Sequence, residues 1–175
     1  MLIGLVGRGF LRILEDLIAQ FADDPALVRP SRFCPTMLRT ATGQPLIAAL
    51  QRNDDDLLGV LADHPRSLAL NEALGPAAVL GAALPLWRAH GMARTDWASA
   101  DQAFAMQSLI TGVTLSIVSD PVSTDGRLKV LGKAVTALLG PEHPTQKGLR
   151  AAASGVEKFL RDGQIAVLEV IDRRP

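Results

Sequence analysis

The N-terminal run Gly4-Leu5-Val6-Gly7-Arg8-Gly9 has the residue types that could hold a phosphate. An apolar run followed by Gly-x-Gly opens the dinucleotide-binding unit, where glycines let the backbone approach a pyrophosphate at a helix N-terminus. The fingerprint also requires a small residue at position 12, and Arg12 stands there. An acidic residue closing a second strand should follow about 20 residues on, but the chain around Val28 is proline-rich. These glycines also lie off the apolar stripe of a helical repeat, so a helix that tolerates glycine accounts for them.

Other reactive side chains are scattered. His64, His90 and His143 each lack a neighbouring His or Cys. His64 and His143 precede prolines, which is turn chemistry, and His90 ends a helical pattern where positive charge meets the dipole. The lone Cys34 can form no disulfide within the chain and lacks the cysteine partners of a thiolate metal site. No Ser stands in a Gly-x-Ser-x-Gly elbow. Asn53-Asp54-Asp55-Asp56 reads as a helix cap, carboxylates meeting the positive end of the dipole. The expectation is a chain with no catalytic residue, no metal and no cofactor.

The elements that carry these residues follow from pattern. A length of 175 residues, 48% apolar and 21% charged, describes a single globular domain with a core of its own. Eighteen basic residues balance eighteen acidic ones, so the whole molecule has no field to hold a phosphate backbone. Neither half departs from neutrality enough to make a nucleic-acid footprint. Cysteine usage suggests a cytoplasmic protein. Arg8 and Arg12 follow the first apolar residues instead of preceding them, against a secretory leader. The uncharged run 102–119 approaches membrane-spanning length, but seven of its residues are Gln, Ser or Thr, which favours a buried helix and no membrane.

Leu2, Val6, Phe10, Ile13, Leu17 and Phe21 recur every three or four residues and predict a first helix stopped at Asp23-Asp24-Pro25. Pro25, Pro30 and Pro35 break the next segment into short turns. Pro45 restarts a helix through Arg52, and the acidic cap starts another over 57–62. Residues 66–90 predict a short helix, a break at Gly75, and a longer helix kinked near Pro85 and closed by Gly91. Ser99 and Gln102 form the pattern of a capping box before a helix to Ser119. A further helix starts at Thr124-Asp125 and stops at Gly140-Pro141. Residues 145–161 form another, ended by Gly163, and 165–171 stay open between strand and helix. The fold class is all-α, a multi-helix bundle of six to nine helices.

Two stripes distinguish the helix over 102–119. Ala103, Met106, Ile110, Val113 and Ile117 form an apolar face, and Ala105, Ser108, Gly112 and Ser116 form a small-residue face that admits a second helix closely. With Leu128, Leu131 and Val135 on the following helix, two such pairs would build a four-helix homodimer interface. Burial of both faces within one chain is the other reading.

The segment Trp87-Arg88-Ala89-His90-Gly91-Met92-Ala93-Arg94-Thr95-Asp96, then Ser99-Ala100-Asp101 and a helix with central Gly112, resembles the C-terminal regulatory domain of tetracycline-repressor (TetR) family transcription regulators. There an aromatic-ended helix closes in a Gly-x-x-Arg-x-Asp segment, and the last two long helices dimerise. The resemblance spans residues 1–140 and implies ligand binding and dimerisation; residues 141–175 are left as a C-terminal helical extension of unassigned role. It implies control of transcription by a small hydrophobic ligand, with DNA bound only through a helix-turn-helix that this chain does not supply. Phe33, Met37, Leu50, Trp87, Phe104 and Met106, bulky side chains beside glycine and proline breaks, are the expected ligand-lining residues. Two alternatives stand beside this reading: a nucleotide-binding enzyme using the N-terminal glycines, and a helical adaptor without ligand.

Overall fold

The apolar stripe of the first segment and its acidic stop give helix α1, Leu2–Asp23. Leu17 and Phe21 of that stripe are buried and Phe10 and Ile13 half-buried, while Leu14, outside the stripe, is buried as well. The Asp24 carboxylate accepts the Ala26 N–H at 2.9 Å and caps a 3-10 turn, Pro25–Val28. The computed structural model describes residues 2–43 and 65–172. Among them the remaining α-helices are α2 (Pro30–Thr42), α3 (Pro65–Leu74), α4 (Pro76–Ala89), α5 (Ser99–Ser119), α6 (Thr124–Leu139) and α7 (Gln146–Asp172), with no strand. The all-α expectation holds. The helix expected after Pro45, the acidic cap at 53–56, Leu50 and His64 lie outside the described residues.

Three local expectations are corrected. The proline-rich segment is a thirteen-residue helix with Pro35 inside it. Pro30 sits at the first position, where no N–H is needed. Pro35 leaves the Ser31 carbonyl without its helical donor, and α6 meets that carbonyl with Gly132, whose missing side chain leaves the oxygen room. The Ser31 N–H, free at the helix start, donates to Glu142 Oε1 at 2.7 Å, and the Ser31 hydroxyl to Oε2 at 3.0 Å. A carboxylate there also meets the positive end of the α2 dipole.

The capping box at Ser99 does not form: the cap residue is Ala98, without a side-chain bond. Gln102 is instead buried and donates from Nε2 to the Arg94 carbonyl at 2.9 Å, while its Oε1 accepts from Arg88. A buried amide must find partners, and the loop carbonyls and guanidinium of residues 88–94 provide them.

Gly163 does not end a helix either, and residues 165–171 are helical, so α7 runs for 27 residues. Gly148, Gly155 and Gly163 recur at intervals of seven and eight and share one face. A Cβ at these positions would stand 3.3 Å from His90 Cβ, 2.8 Å from Leu86 Cδ1 and 2.4 Å from Leu74 Cδ2, respectively. The glycines therefore let α7 pass closely along α4 and α3, which offsets the helix propensity they forgo, about 1 kcal/mol each. Gly7 of α1 serves likewise, its missing Cβ being replaced by Ile171.

Residues of α7, including Ala152, Val156, Leu160 and Val167, share one buried cluster with Leu17 and Phe21 of α1, Phe33 of α2 and Leu80 and Trp87 of α4. The segment beyond residue 140 thus packs in the same core as the rest. At the centre, the Trp87 ring stands edge-on to Phe33 at 5.3 Å, and its Nε1–H donates to the Val28 carbonyl at 2.7 Å.

Candidate functional site

Two features on opposite faces of α5 make up the site. The inward stripe read from sequence packs as expected: Met106 and Ile117 are buried, and Ala103, Ile110 and Val113 are half-buried. Where α5 passes α2 and the α3–α4 corner, a cavity of about 250 Å³ remains. Its wall includes Phe33, Cys34, Met37, Leu80, Ile110 and Thr114. The Thr114 hydroxyl is already engaged, donating to the Ile110 carbonyl at 2.8 Å. Burial first, and the negative charge of Glu142 second, push the Cys34 thiol up to about 12, so it is a neutral lining group. Among the described residues no ionised side chain lines this space; it suits an uncharged apolar molecule.

Of the residues expected to line a ligand site, Phe33 and Met37 border this cavity. Trp87 lies behind Phe33 and Met106 within the packed core, both wholly buried. Phe104 projects from the opposite face of α5, 74% exposed. Leu50 is not among the described residues. Val79 and Thr114, which pattern reading missed, line the space because the α3–α4 corner and α2 converge there, a pairing with no local sequence signal.

The outer face of α5 is exposed at Phe104, Ser108, Thr111, Gly112, Leu115 and Ser116, and Ala105 is half-buried at its edge. This helix of 21 residues carries one charge, Asp101. Beside it runs α6, joined through a corner held by Asp120. That carboxylate accepts from the Val122 N–H at 3.2 Å and from Arg127 Nη2 at 2.8 Å, and Arg127 also donates to the Asp120 carbonyl. The Arg127 bond is the main cause that holds the Asp120 carboxyl below its ordinary value.

One expectation for this face is corrected. Leu128, Leu131 and Val135 are buried within the chain, on the side of α6 that packs on α2. A residue fully enclosed in one copy offers no area to another. The α6 residue left projecting beside the small stripe is Val130, 63% exposed. Gly112, Ser116, Gly126 and Val130 border a shallow hollow between the two helices, about 360 Å³.

The loop that carries the family resemblance is tightly tied. Gly91 takes φ +71°, a left-handed turn that favours glycine. Arg94 grips Asp96 with two bonds of 2.6 and 2.5 Å and lies over the Trp97 ring. Arg88 donates to the Trp97 and Arg94 carbonyls, fixing the loop to the end of α4.

The remaining chemistry of the sequence stays dispersed. Gly4, Gly7 and Gly9 lie inside α1, so they form no strand-to-helix turn, and the phosphate cradle of the nucleotide reading is not built. The His143 N–H donates to the Gly91 carbonyl at 2.9 Å, a long-range bond and not the local turn expected before Pro144, since residues 141–145 form no turn. Among the described residues no three His, Cys, Asp or Glu side chains gather as a metal site. Two stretches, Leu68–Ala89 across the Gly75 break and Ser99–Ser119, are long and apolar enough to cross a membrane by length and composition.

Comparison with known proteins gives no match: no family model fits the sequence, and no curated protein and no solved structure pairs with it.

Proposed function

We propose that this chain is a small-molecule-sensing domain that pairs with a second copy through α5 and α6, in the manner of the TetR-type regulators its loop and helix pattern resemble. One observation carries the pairing. The outer face of a nearly charge-free helix bears projecting side chains, Phe104 and Leu115, next to the hollow at Gly112 and Gly126. A two-fold interface needs a surface complementary to itself, and projections beside a hollow on one face meet that need. At 1.5 Å per residue α5 is about 30 Å long and α6 about 24 Å, so strips one helix wide along both offer on the order of 500–600 Å² per copy, the low end of specific interfaces. Each large apolar side chain buried there contributes roughly 1.5–3 kcal/mol.

The apolar cavity supports the sensing half of the reading. Ile110 and Thr114 line it from α5, and Gly112 lies between them on the outer side. A molecule that binds one placement of α5 more tightly changes the pairing equilibrium, and pairing changes its affinity in return.

Sedimentation of the chain with and without neutral apolar compounds, p-cymene and naphthalene, tests both halves. The expected result is a dimer whose dissociation constant shifts on ligand addition, with a rise in Tm. A monomer at micromolar concentration, or a Tm raised only by ATP or NADH, removes the reading.

A further inference from the structure

A second, larger groove lies between α2 and α6, about 590 Å³, remote in chemistry from the neutral cavity. Along α2 its wall is Arg32, Thr36 and Arg39; along α6 it is Lys129, Lys133 and Thr136. Both sets recur every three or four residues, so the groove follows the two helices for about two turns, roughly 11 Å. Its floor is apolar, with Pro35, Leu128 and Gly132.

The charge here is unbalanced. The groove is lined by four basic side chains, Arg32, Arg39, Lys129 and Lys133, and by no acidic one among the described residues, with the Glu142 carboxylate held on Ser31 at its edge, in a chain whose charges cancel overall. Arg32 pairs with Asp24 at 3.1 Å and Arg39 with Asp125 at 2.7 Å. Lys129 and Lys133 form no ion pair among the described residues. They stand one turn apart on the same edge, where like charges repel. An anion between them relieves that repulsion, and an apolar body attached to it covers the Pro35–Leu128 floor. Thr36 and Thr136 also line the groove, the Thr136 hydroxyl donating to the Gly132 carbonyl at 3.2 Å.

We infer that the α2–α6 groove binds an anionic amphiphile, a phosphate or carboxylate head on a short apolar body, with Lys129 and Lys133 holding the head. This site does not depend on the pairing face or on the neutral cavity. A bare anion would leave the floor wet, and a neutral body would leave the lysines unpaired, so the two parts are required together.

Calorimetric titration of the intact chain with octyl phosphate, below its micelle concentration, tests this against octanol and inorganic phosphate. Octyl phosphate binds and the two controls bind more weakly. The exposed double variant Lys129→Gln/Lys133→Gln weakens binding about tenfold or more, two surface charge pairs at up to about fivefold each, and added salt does the same. Thr136→Trp, which keeps every charge and fills the groove, abolishes it. Unchanged binding in either variant overturns the inference, as does inorganic phosphate binding as well as octyl phosphate. Lysine-dependent attachment to phosphatidylglycerol vesicles without binding of free octyl phosphate also overturns it, and assigns the face to a membrane surface.

Discussion

A Cβ built on Gly132 would stand 2.7 Å from the carbonyl oxygen of Ser31, so α2 and α6 approach backbone to backbone at the point where Pro35 has freed that carbonyl. A backbone oxygen cannot swing aside as a leucine tip can. Gly132→Ala is therefore expected to cost about 1–3 kcal/mol through overpacking, seen as a lower urea midpoint. Gly81, within α4, has no described residue within 4 Å of the same position, and Gly81→Ala should raise stability by about 0.5–1 kcal/mol. Opposite signs for two glycine-to-alanine changes in helices check the helix spacing directly; equal effects would remove it.

The Trp87 indole donates to the buried carbonyl of Val28 and fills the centre of the core. Trp87→Phe keeps much of the apolar volume but orphans that carbonyl, at a cost of about 1–3 kcal/mol for the group left unpaired, plus the space vacated. Thermal unfolding should show a clear drop in Tm, larger than that of Trp97→Phe on the exposed loop.

On the outer face of α5, Gly112→Leu meets open space among the described residues of its own chain, so folding stability should hold. In the proposed pair of copies the added side chain blocks close approach, and the dissociation constant of that dimer should rise about tenfold or more, the equivalent of 1–3 kcal/mol of overpacking. Sedimentation reads this; an unchanged dimer would move the interface away from α5.

Cys34 supplies a test at alkaline pH. Its thiol is pushed up to about 12 in the fold, chiefly by burial, against about 8.5 for a free thiol. A raised folded value means the contribution is complete below the unfolded value and is lost as pH climbs towards the folded one. Stability should hold to about pH 8.5 and decline above it, and Cys34→Ala should flatten that decline. Native protein should resist iodoacetamide at pH 8, whereas denatured protein should react at once.

Asp120 supplies the acid counterpart. Arg127 holds its carboxyl below the ordinary value, mainly through their hydrogen bond, so its contribution is present above about pH 3.9 and lost as pH falls through the folded value. Asp120→Asn should be less stable than the parent at pH 6, and the difference should disappear below the folded value. A constant difference across that range would mean the α5–α6 corner is held by something other than this pair.

The sequence by itself determined the helix class, the extent of α1, α5 and α6, and the inward stripe Ala103–Ile117, because period and end signals are local and one face of each helix must leave water. It also exposed the small-residue stripe of Ser108, Gly112 and Ser116. Tertiary structure alone decided what the glycines and prolines do. Gly163 looked like a stop and is a contact with Leu74; Pro35 looked like a break and is sheltered by Gly132; Gln102 looked like a cap and is buried against Arg88. In each case the partner comes from a distant helix, and its packing outweighs a local preference of about a kcal/mol. The same reason put Leu128, Leu131 and Val135 inward while Phe104 points out: an apolar stripe tells which residues avoid water, and only the neighbouring helix fixes which side is covered.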